Sequence, residues 1–194
     1  MKIKDLAQAD FSSVLFDTLF GLILFFGLDS FLDIQDKWHF IFYLLATVVV
    51  VHWWLLFKSA DDAFGDEVNA SAVDLVFGVI YIILIDYVIL LAKIFNYQAS
   101  IAFLIALLAA DLVWALAWRF VGKWNTKDSA RIRAMESELE HTIGIDIVGI
   151  VTFSVLLYFA AAISAPMFIG LAVVFYLSYI LLSFSKKVID LKIF

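Results

Sequence analysis

Six long apolar segments follow one another along the chain, separated by stretches that contain charged and polar residues. A helix needs about 20 predominantly apolar residues to cross the hydrocarbon of a bilayer, and each segment is long enough. The predicted transmembrane spans are residues 11–33, 38–58, 72–94, 98–120, 143–164 and 166–185. The mixed-charge sequence at 128–141 predicts a short cytoplasmic helix before the fifth span. The pattern therefore predicts one domain, residues 1–194, that is an all-α, polytopic membrane protein.

Lysine and arginine are distributed unevenly between the two ends of these spans. With the N-terminus in the cytoplasm, eleven of the thirteen fall on the cytoplasmic side, and only Lys37 and Lys93 fall outside. Positive residues accumulate in the cytoplasmic loops of membrane proteins. We therefore expect a protein of the cytoplasmic membrane with both termini inside, whose six spans form three inside-out-inside hairpins.

An aspartate recurs near the start of each odd-numbered span. Asp17 opens DTLFGL, Asp74 opens DLVFGV and Asp146 opens DIVGIV. The first two hairpins close on Lys58 and Arg119, which are 41 and 45 residues further on and are the predicted charge partners. The spacing predicts hairpins related by a pseudo-threefold axis. Each aspartate then either caps a helix beside a cation or lines a polar pathway through the bundle.

Three further ionisable residues lie well inside predicted spans. Asp86 and Asp111 occur near the middles of spans three and four. An ionised aspartate facing lipid there costs about 2.5–3.5 kcal/mol, so we expect both to be protonated, hydrogen-bonded or exposed to water. His52 lies at the same predicted depth as Asp17. An Asp17–His52 pair would serve either as a proton-sensitive latch or as an interhelical packing bond.

The composition excludes several classes of function. Apolar residues make up 65% of the chain and charged residues 16%, against about 45–50% and 25% in soluble domains. The absence of cysteine excludes disulfides and thiolate ligands, and a net charge of −6 does not suit nucleic acid. The sequence contains no nucleophile–base, haem or metal-ligand motif, so we expect neither an enzyme nor a bound cofactor or metal.

The segment LFDTLF, which contains Asp17, resembles the first span of the prokaryotic and endolysosomal potassium channels of the transmembrane protein one-seven-five family. In that family a Phe-Ser-Asp motif opens the helix, and Phe16 stands here in place of the serine. The HWWLLF segment and the turn at 163–166 are also similar to that family. The resemblance implies a homo-oligomer with Asp17 at the inner mouth of a pore and Leu22 and Phe25 as its constriction.

LFDTLF together with HWWLLFKSADD also resembles the first two spans of the low-temperature-requirement A proteins. Our leading hypothesis is a channel or permeation pathway in the lipid bilayer for a monovalent cation, potassium or the proton. The predicted pathway residues are Asp17, His52, Asp74, Asp86, Asp111 and Asp146. The alternatives are a proton-coupled transporter that binds a small solute near Asp86 and Asp111, and a non-transporting membrane scaffold or membrane enzyme.

Overall fold

The computed structural model consists of helices joined by turns, and it describes residues 17–25, 34, 36–64, 72–121 and 129–190. The helices are α1 (17–25), α2 (Lys37–Phe64), α3 (Ala72–Lys93), α4 (Tyr97–Val121), α5 (Ser129–Tyr158) and α6 (Ala165–Asp190). The all-helical prediction is confirmed. Helix α1 is the described part of the first predicted span, and the rest of that span lies outside the described residues.

Five of the helices, α2 to α6, are long and apolar enough to cross a membrane. Large apolar side chains that the chain itself leaves exposed occur along all five, for example Leu44, Ile83, Val113, Val151 and Leu181. An apolar surface of this extent belongs in contact with lipid or with another protein. The chain therefore has the character of a multi-pass membrane protein.

Helix α5 differs from its prediction, because residues 129–158 form one continuous helix where the sequence predicts a cytoplasmic helix and a separate span. Its first turns are held by the end of α4. The guanidinium of Arg119 donates a hydrogen bond to Glu140 at 3.1 Å and lies 3.6 Å from Glu136. Arg119 is thus paired with two glutamates of α5, and not with one of the leading aspartates as predicted. The continuous helix also places Asp146 seventeen residues from its start, well inside the helix.

The five long helices form a closed ring in chain order. Helix α2 packs on α3, α3 on α4, α4 on α5 and α5 on α6, and α6 returns to pack on α2. The interior is filled by side chains that are almost completely buried and form one cluster, including Tyr43, Ile85, Leu104, Phe153 and Tyr176. Side chains from every helix of the ring therefore meet at its centre.

Helices that follow one another along the chain run in opposite directions, whereas α2 and α6, which close the ring, both begin at the same end of it and run in the same direction. The start of α2 lies beside the end of α3, where His39 Nε2 is 2.9 Å from the carbonyl oxygen of Lys93. The start of α5 lies beside the end of α6, where His141 Nε2 is 3.1 Å from the carbonyl oxygen of Leu182. We call the end of the ring that holds the 94–96 turn the turn end, and the opposite end the link end. The threefold hairpin repeat stays a prediction.

The 94–96 turn is shaped by Phe95, whose φ is 55°. The N–H of Phe95 donates to the carbonyl of Ala92, and the N–H of Asn96 donates to that of Leu91. This is the Schellman arrangement, whose left-handed position is usually occupied by glycine. Phe95 takes that position here because its ring stacks on His39 at 4.9 Å between centroids. Aromatic packing at the turn end thus compensates for a strained backbone.

Asp36 caps the first turn of α2. Its carboxylate accepts hydrogen bonds from the backbone N–H groups of His39 and Trp38 at 2.9 and 2.7 Å. These bonds, the one from His39 first, hold the pKa of Asp36 below its ordinary value. An asparagine caps a helix about as well as an aspartate, so Asp36→Asn changes a charge at the turn end with little effect on the helix.

Gly149 lets α5 approach two other helices at once. A Cβ atom at this position would lie 3.1 Å from Leu108 of α4 and 3.3 Å from Tyr179 of α6. Gly144, one and a half turns earlier on α5, has no atom within 4 Å of the same position. The two glycines therefore form a matched pair, one in a tight contact and one in open space.

We expect Gly149→Val to lower the free energy of unfolding by about 1–3 kcal/mol, because its methyl groups would overpack the contact with Leu108 and Tyr179. Gly144→Val is the control, since it carries the same change of helix propensity without the contact. The measurement is thermal unfolding in detergent, followed by circular dichroism. Equal losses in the two variants would contradict the close approach at Gly149.

Candidate functional site

Two carboxyl groups face each other where α4 and α5 meet. Asp111 and Asp146 lie close enough for a hydrogen bond between their side chains. Asp146 is fully buried and Asp111 is partly buried. Each also accepts a hydrogen bond from a tyrosine: the hydroxyl of Tyr81 on α3 lies 3.0 Å from Asp111 Oδ1, and that of Tyr179 on α6 lies 2.8 Å from Asp146 Oδ1. We call Asp111 and Asp146 the acid pair.

The acid pair needs a proton to satisfy its own atoms. Oδ2 of Asp146 is buried, and no N–H or O–H group among the described residues donates to it. Two ionised carboxylates cannot donate to each other, and at low dielectric they repel strongly. A proton on one of the two groups removes the repulsion and supplies the missing hydrogen bond. The geometry therefore suits a pair that holds a proton between two carboxyl groups.

The acid pair lies deep within the ring. Asp111 comes fourteen residues after Tyr97, and Asp146 comes twelve residues before Tyr158. At a rise of 1.5 Å per residue, the two are about 21 and 18 Å from the turn end. A hydrocarbon layer is about 30 Å thick, so the pair lies about two thirds of the way across it.

His52 of α2 forms a second buried polar contact with α6. Its Nδ1 lies 2.9 Å from the hydroxyl of Tyr176, and its Nε2 lies 3.0 Å from the hydroxyl of Ser183. Ser183 donates its own proton to the carbonyl of Ile180 at 2.9 Å, so its oxygen is left to accept one from His52. A neutral His52 therefore carries its proton on Nε2 and accepts a hydrogen bond from Tyr176 at Nδ1.

The two polar sites touch through aromatic rings. Tyr176 stacks on Tyr179 with 5.9 Å between ring centroids, and the ring of His52 lies 5.8 Å from that of Tyr179. On the other side, Trp53 lies 5.6 Å from Tyr81. The residues Tyr81, Asp111, Asp146, His52, Tyr176, Tyr179 and Ser183 thus form one polar cluster, which we call the five-helix cluster. It joins α2, α3, α4, α5 and α6 within the ring.

Asp86 was predicted in the same pathway as Asp111, and its position is different. Asp86 is exposed on the outside of the ring, whereas Ile85, Val88 and Ile89 form the buried face of α3. Consecutive helical residues are about 100° apart around the axis, so the side chain that follows Ile85 is turned away from the core. The structure therefore brings Asp111 together with Asp146, and leaves Asp86 outside.

Asp17 and His52, which the sequence predicts as a pair, each form a hydrogen bond with another residue. Asp17 accepts a hydrogen bond from Trp54 Nε1 at 2.9 Å. The described hydrogen bonds of His52 go to α6, and the Asp17–His52 pair stays a prediction. The side chains of Asp74 and Lys58 lie outside the described residues.

The predicted constriction residues Leu22 and Phe25 are 44% and 67% exposed, whereas Phe20 and Ile23 form the buried side of α1. Within a single chain they face away from the ring interior. A constriction at these residues would require α1 helices from more than one copy of the chain.

The tyrosines and the serine of the five-helix cluster were not predicted from the sequence. Tyr176, Tyr179 and Ser183 follow one another at intervals of three and four residues, which places them on one face of α6. Polar side chains with this period inside an apolar span are a signal for an internal polar contact. Among the residues that the structure describes, no group of three or more histidine, aspartate or glutamate side chains is arranged to hold a metal ion.

No family model, curated protein or solved structure matches the chain. The resemblances of its first two spans to the two channel and membrane-protein families therefore stay predictions.

We expect His52→Ala to lower the free energy of unfolding by about 1–3 kcal/mol, because it leaves the buried hydroxyls of Tyr176 and Ser183 with fewer partners. His52→Gln retains one donor and one acceptor and should lose less than half as much. Thermal unfolding in detergent measures both. An equal loss in the two variants would show that ring packing, and not hydrogen bonding, holds His52 in place.

Proposed function

We propose that this multi-pass membrane protein moves protons across the bilayer and that the acid pair carries them. The observation that supports the proposal is the contact of Asp111 with Asp146 inside the ring. Intramembrane carboxyl groups that face a bundle interior commonly serve as proton relays or line ion pathways. A pair that gains hydrogen bonding when it is protonated is suited to accept and release a single proton.

The surroundings of the acid pair favour the proton over potassium. Selectivity filters for potassium replace the hydration shell of the ion with rings of oxygen atoms. Among the described residues, the acid pair has no such ring beside it, and its other hydrogen-bond partners are two tyrosine hydroxyls. On the side toward the turn end, a cavity between α2, α3 and α4 has a volume of about 10 Å³. This cavity is lined almost entirely by apolar side chains and is too small for a hydrated potassium ion.

The five-helix cluster extends the acid pair toward the link end. Tyr179 donates to Asp146, and its ring contacts both Tyr176 and His52. Hydroxyl and imidazole groups can each donate and accept a proton. In this proposal the cluster provides the groups that connect the acid pair with the side of the membrane on which α6 ends.

We place both termini in the cytoplasm, which makes the link end cytoplasmic. The support is the distribution of lysine and arginine, eleven against two. Because the chain contains no cysteine, single cysteines report the orientation directly. In intact cells, a membrane-impermeant maleimide should label Ser164→Cys at the turn end, and should label Ser129→Cys only after the membrane is opened. The reverse pattern would place the termini outside.

Proton transport is tested in liposomes that contain the purified protein and a pH-sensitive dye. With an imposed pH gradient, we expect proton flux in the unchanged protein, and at least a tenfold lower flux in Asp146→Asn and in Asp111→Asn, because an amide cannot release a proton. Asp36→Asn is the matched control, since it makes the same chemical change at the turn end and should keep the full flux.

Three outcomes would decide against the proposal. Potassium flux that is lost in the same variants would favour the cation channel instead. Proton movement only when a solute is supplied would favour the proton-coupled transporter. Proton leak that is identical in the unchanged protein, in both acid-pair variants and in empty liposomes would leave the acid pair as a packing contact in a scaffold.

A further inference from the structure

The outer face of α3 carries polar side chains at a depth where lipid tails provide no hydrogen-bond partners. Among the α3 side chains that the structure describes, from residue 76 onward, the exposed ones are Val76, Val79, Ile80, Ile83, Asp86, Tyr87 and Leu90. Asp86 lies seven residues before Lys93, which corresponds to a depth of about 10 Å below the turn end. An aspartate side chain is too short to reach the headgroups from there, because only long side chains such as lysine and arginine extend that far.

Asp86 and Tyr87 provide one acceptor and one donor side by side. Within the part of the chain that the structure describes, neither the carboxylate of Asp86 nor the hydroxyl of Tyr87 makes a hydrogen bond. The ring of Tyr87 is 44% exposed and lies flat on Phe103, with 4.8 Å between centroids and 13° between planes. Tyr87 is therefore fixed beside Asp86 on the outer surface.

The exposed face of α5 differs from that of α3. In the half of α5 that leads to the turn end, the exposed large residues are Ile147, Val148, Val151 and Val155, with Tyr158 exposed at the last position of the helix. Unlike the outer face of α3, this face carries no carboxyl group. Of these two faces, the α3 face is the one on which a protein partner would supply a hydrogen bond to a carboxyl group that lipid tails cannot bind.

We propose that the α3 face binds a second copy of this chain, and that Asp86 of each copy accepts a hydrogen bond from the hydroxyl of the partner subunit's Tyr87. Two copies inserted in the same direction are related by a twofold axis along the membrane normal, so identical residues meet at identical depth. An adjacent donor and acceptor then become complementary to themselves, and two equivalent hydrogen bonds form. Interhelical hydrogen bonds of this kind drive the association of helices in lipid.

The test uses disulfide crosslinking in native membranes. Because the chain has no natural cysteine, each introduced cysteine is the only one that the chain contributes to a disulfide. Ile83→Cys and Leu90→Cys lie one turn on either side of Asp86 and Tyr87 on the α3 face. Both should form covalent dimers under mild oxidation. Val148→Cys, an equally exposed position on α5, is the matched control and should stay monomeric. Equal crosslinking at all three positions would indicate random collision and overturn the proposal.

The chemistry of the contact is tested in the Ile83→Cys background. Asp86→Leu removes the acceptor and should reduce the crosslinked fraction at least tenfold, and Tyr87→Phe removes the donor and should reduce it at least threefold. Asp86→Asn keeps an acceptor and should leave crosslinking nearly unchanged, and thermal unfolding in detergent checks that Asp86→Leu and Tyr87→Phe fold. Undiminished dimers in Asp86→Leu would overturn the proposed bond.

One further outcome has a distinct signature. Residues 26–33 of the same chain lie outside the described residues, and they are the alternative occupant of the α3 face. In that case Ile83→Cys combined with Ser30→Cys would form an internal disulfide in a monomer. Such a product, without dimers, would overturn the proposal in favour of an intramolecular contact. The inference does not depend on proton transport, because it concerns a surface outside the ring.

Discussion

A carboxyl group within a bilayer must find its hydrogen-bond donors in the protein, and the way this chain meets that requirement organises its interior. Asp111 and Asp146 receive one donor each from Tyr81 and Tyr179, and they face each other across the α4–α5 contact. An unpaired polar group in hydrocarbon costs several kcal/mol, which is as much as a large part of the stability of a typical domain. The relative positions of α3, α4, α5 and α6 are therefore tied to these bonds, and a rotation of any one of them would break at least one.

The existence and the approximate length of the helices were predictable, because the apolar segments are long and the links are polar. What the sequence left open was the rotation of each helix about its axis. Asp86 and Asp111 have the same apolar surroundings in the chain, yet Asp86 is exposed and Asp111 lies inside. The difference depends on which side of α3 carries Ile85, Val88 and Ile89, and in a helix that is apolar all round the hydrophobic pattern does not mark one face. Tertiary packing decides it.

The partners of the acid pair were unpredictable for a related reason. The prediction of a break near residue 142 placed Asp146 close to a helix start, where the helix dipole explains a carboxylate. In the continuous α5, Asp146 lies in the interior of the helix, where the helix dipole does not stabilise a carboxylate. Its actual stabilisation comes from Tyr179, 33 positions along the chain, and from Asp111 on the neighbouring helix. Contacts at such separations are a property of the ring, and a local pattern does not contain them. The spacing of Tyr176, Tyr179 and Ser183 was the local signal that was available.

Helix α3 connects the interior and the outer surface of the ring. Tyr81 donates to the acid pair from the inner side of α3, and Asp86 and Tyr87 lie on its outer side less than two turns away. A helix transmits a rotation or a shift along its axis almost rigidly, since its backbone hydrogen bonds resist deformation. If a second copy of the chain binds the outer side, it fixes the orientation of α3 and with it the position of the Tyr81 hydroxyl beside Asp111. An interface outside the ring would then help to hold the hydrogen-bond donor of Asp111 in place inside it.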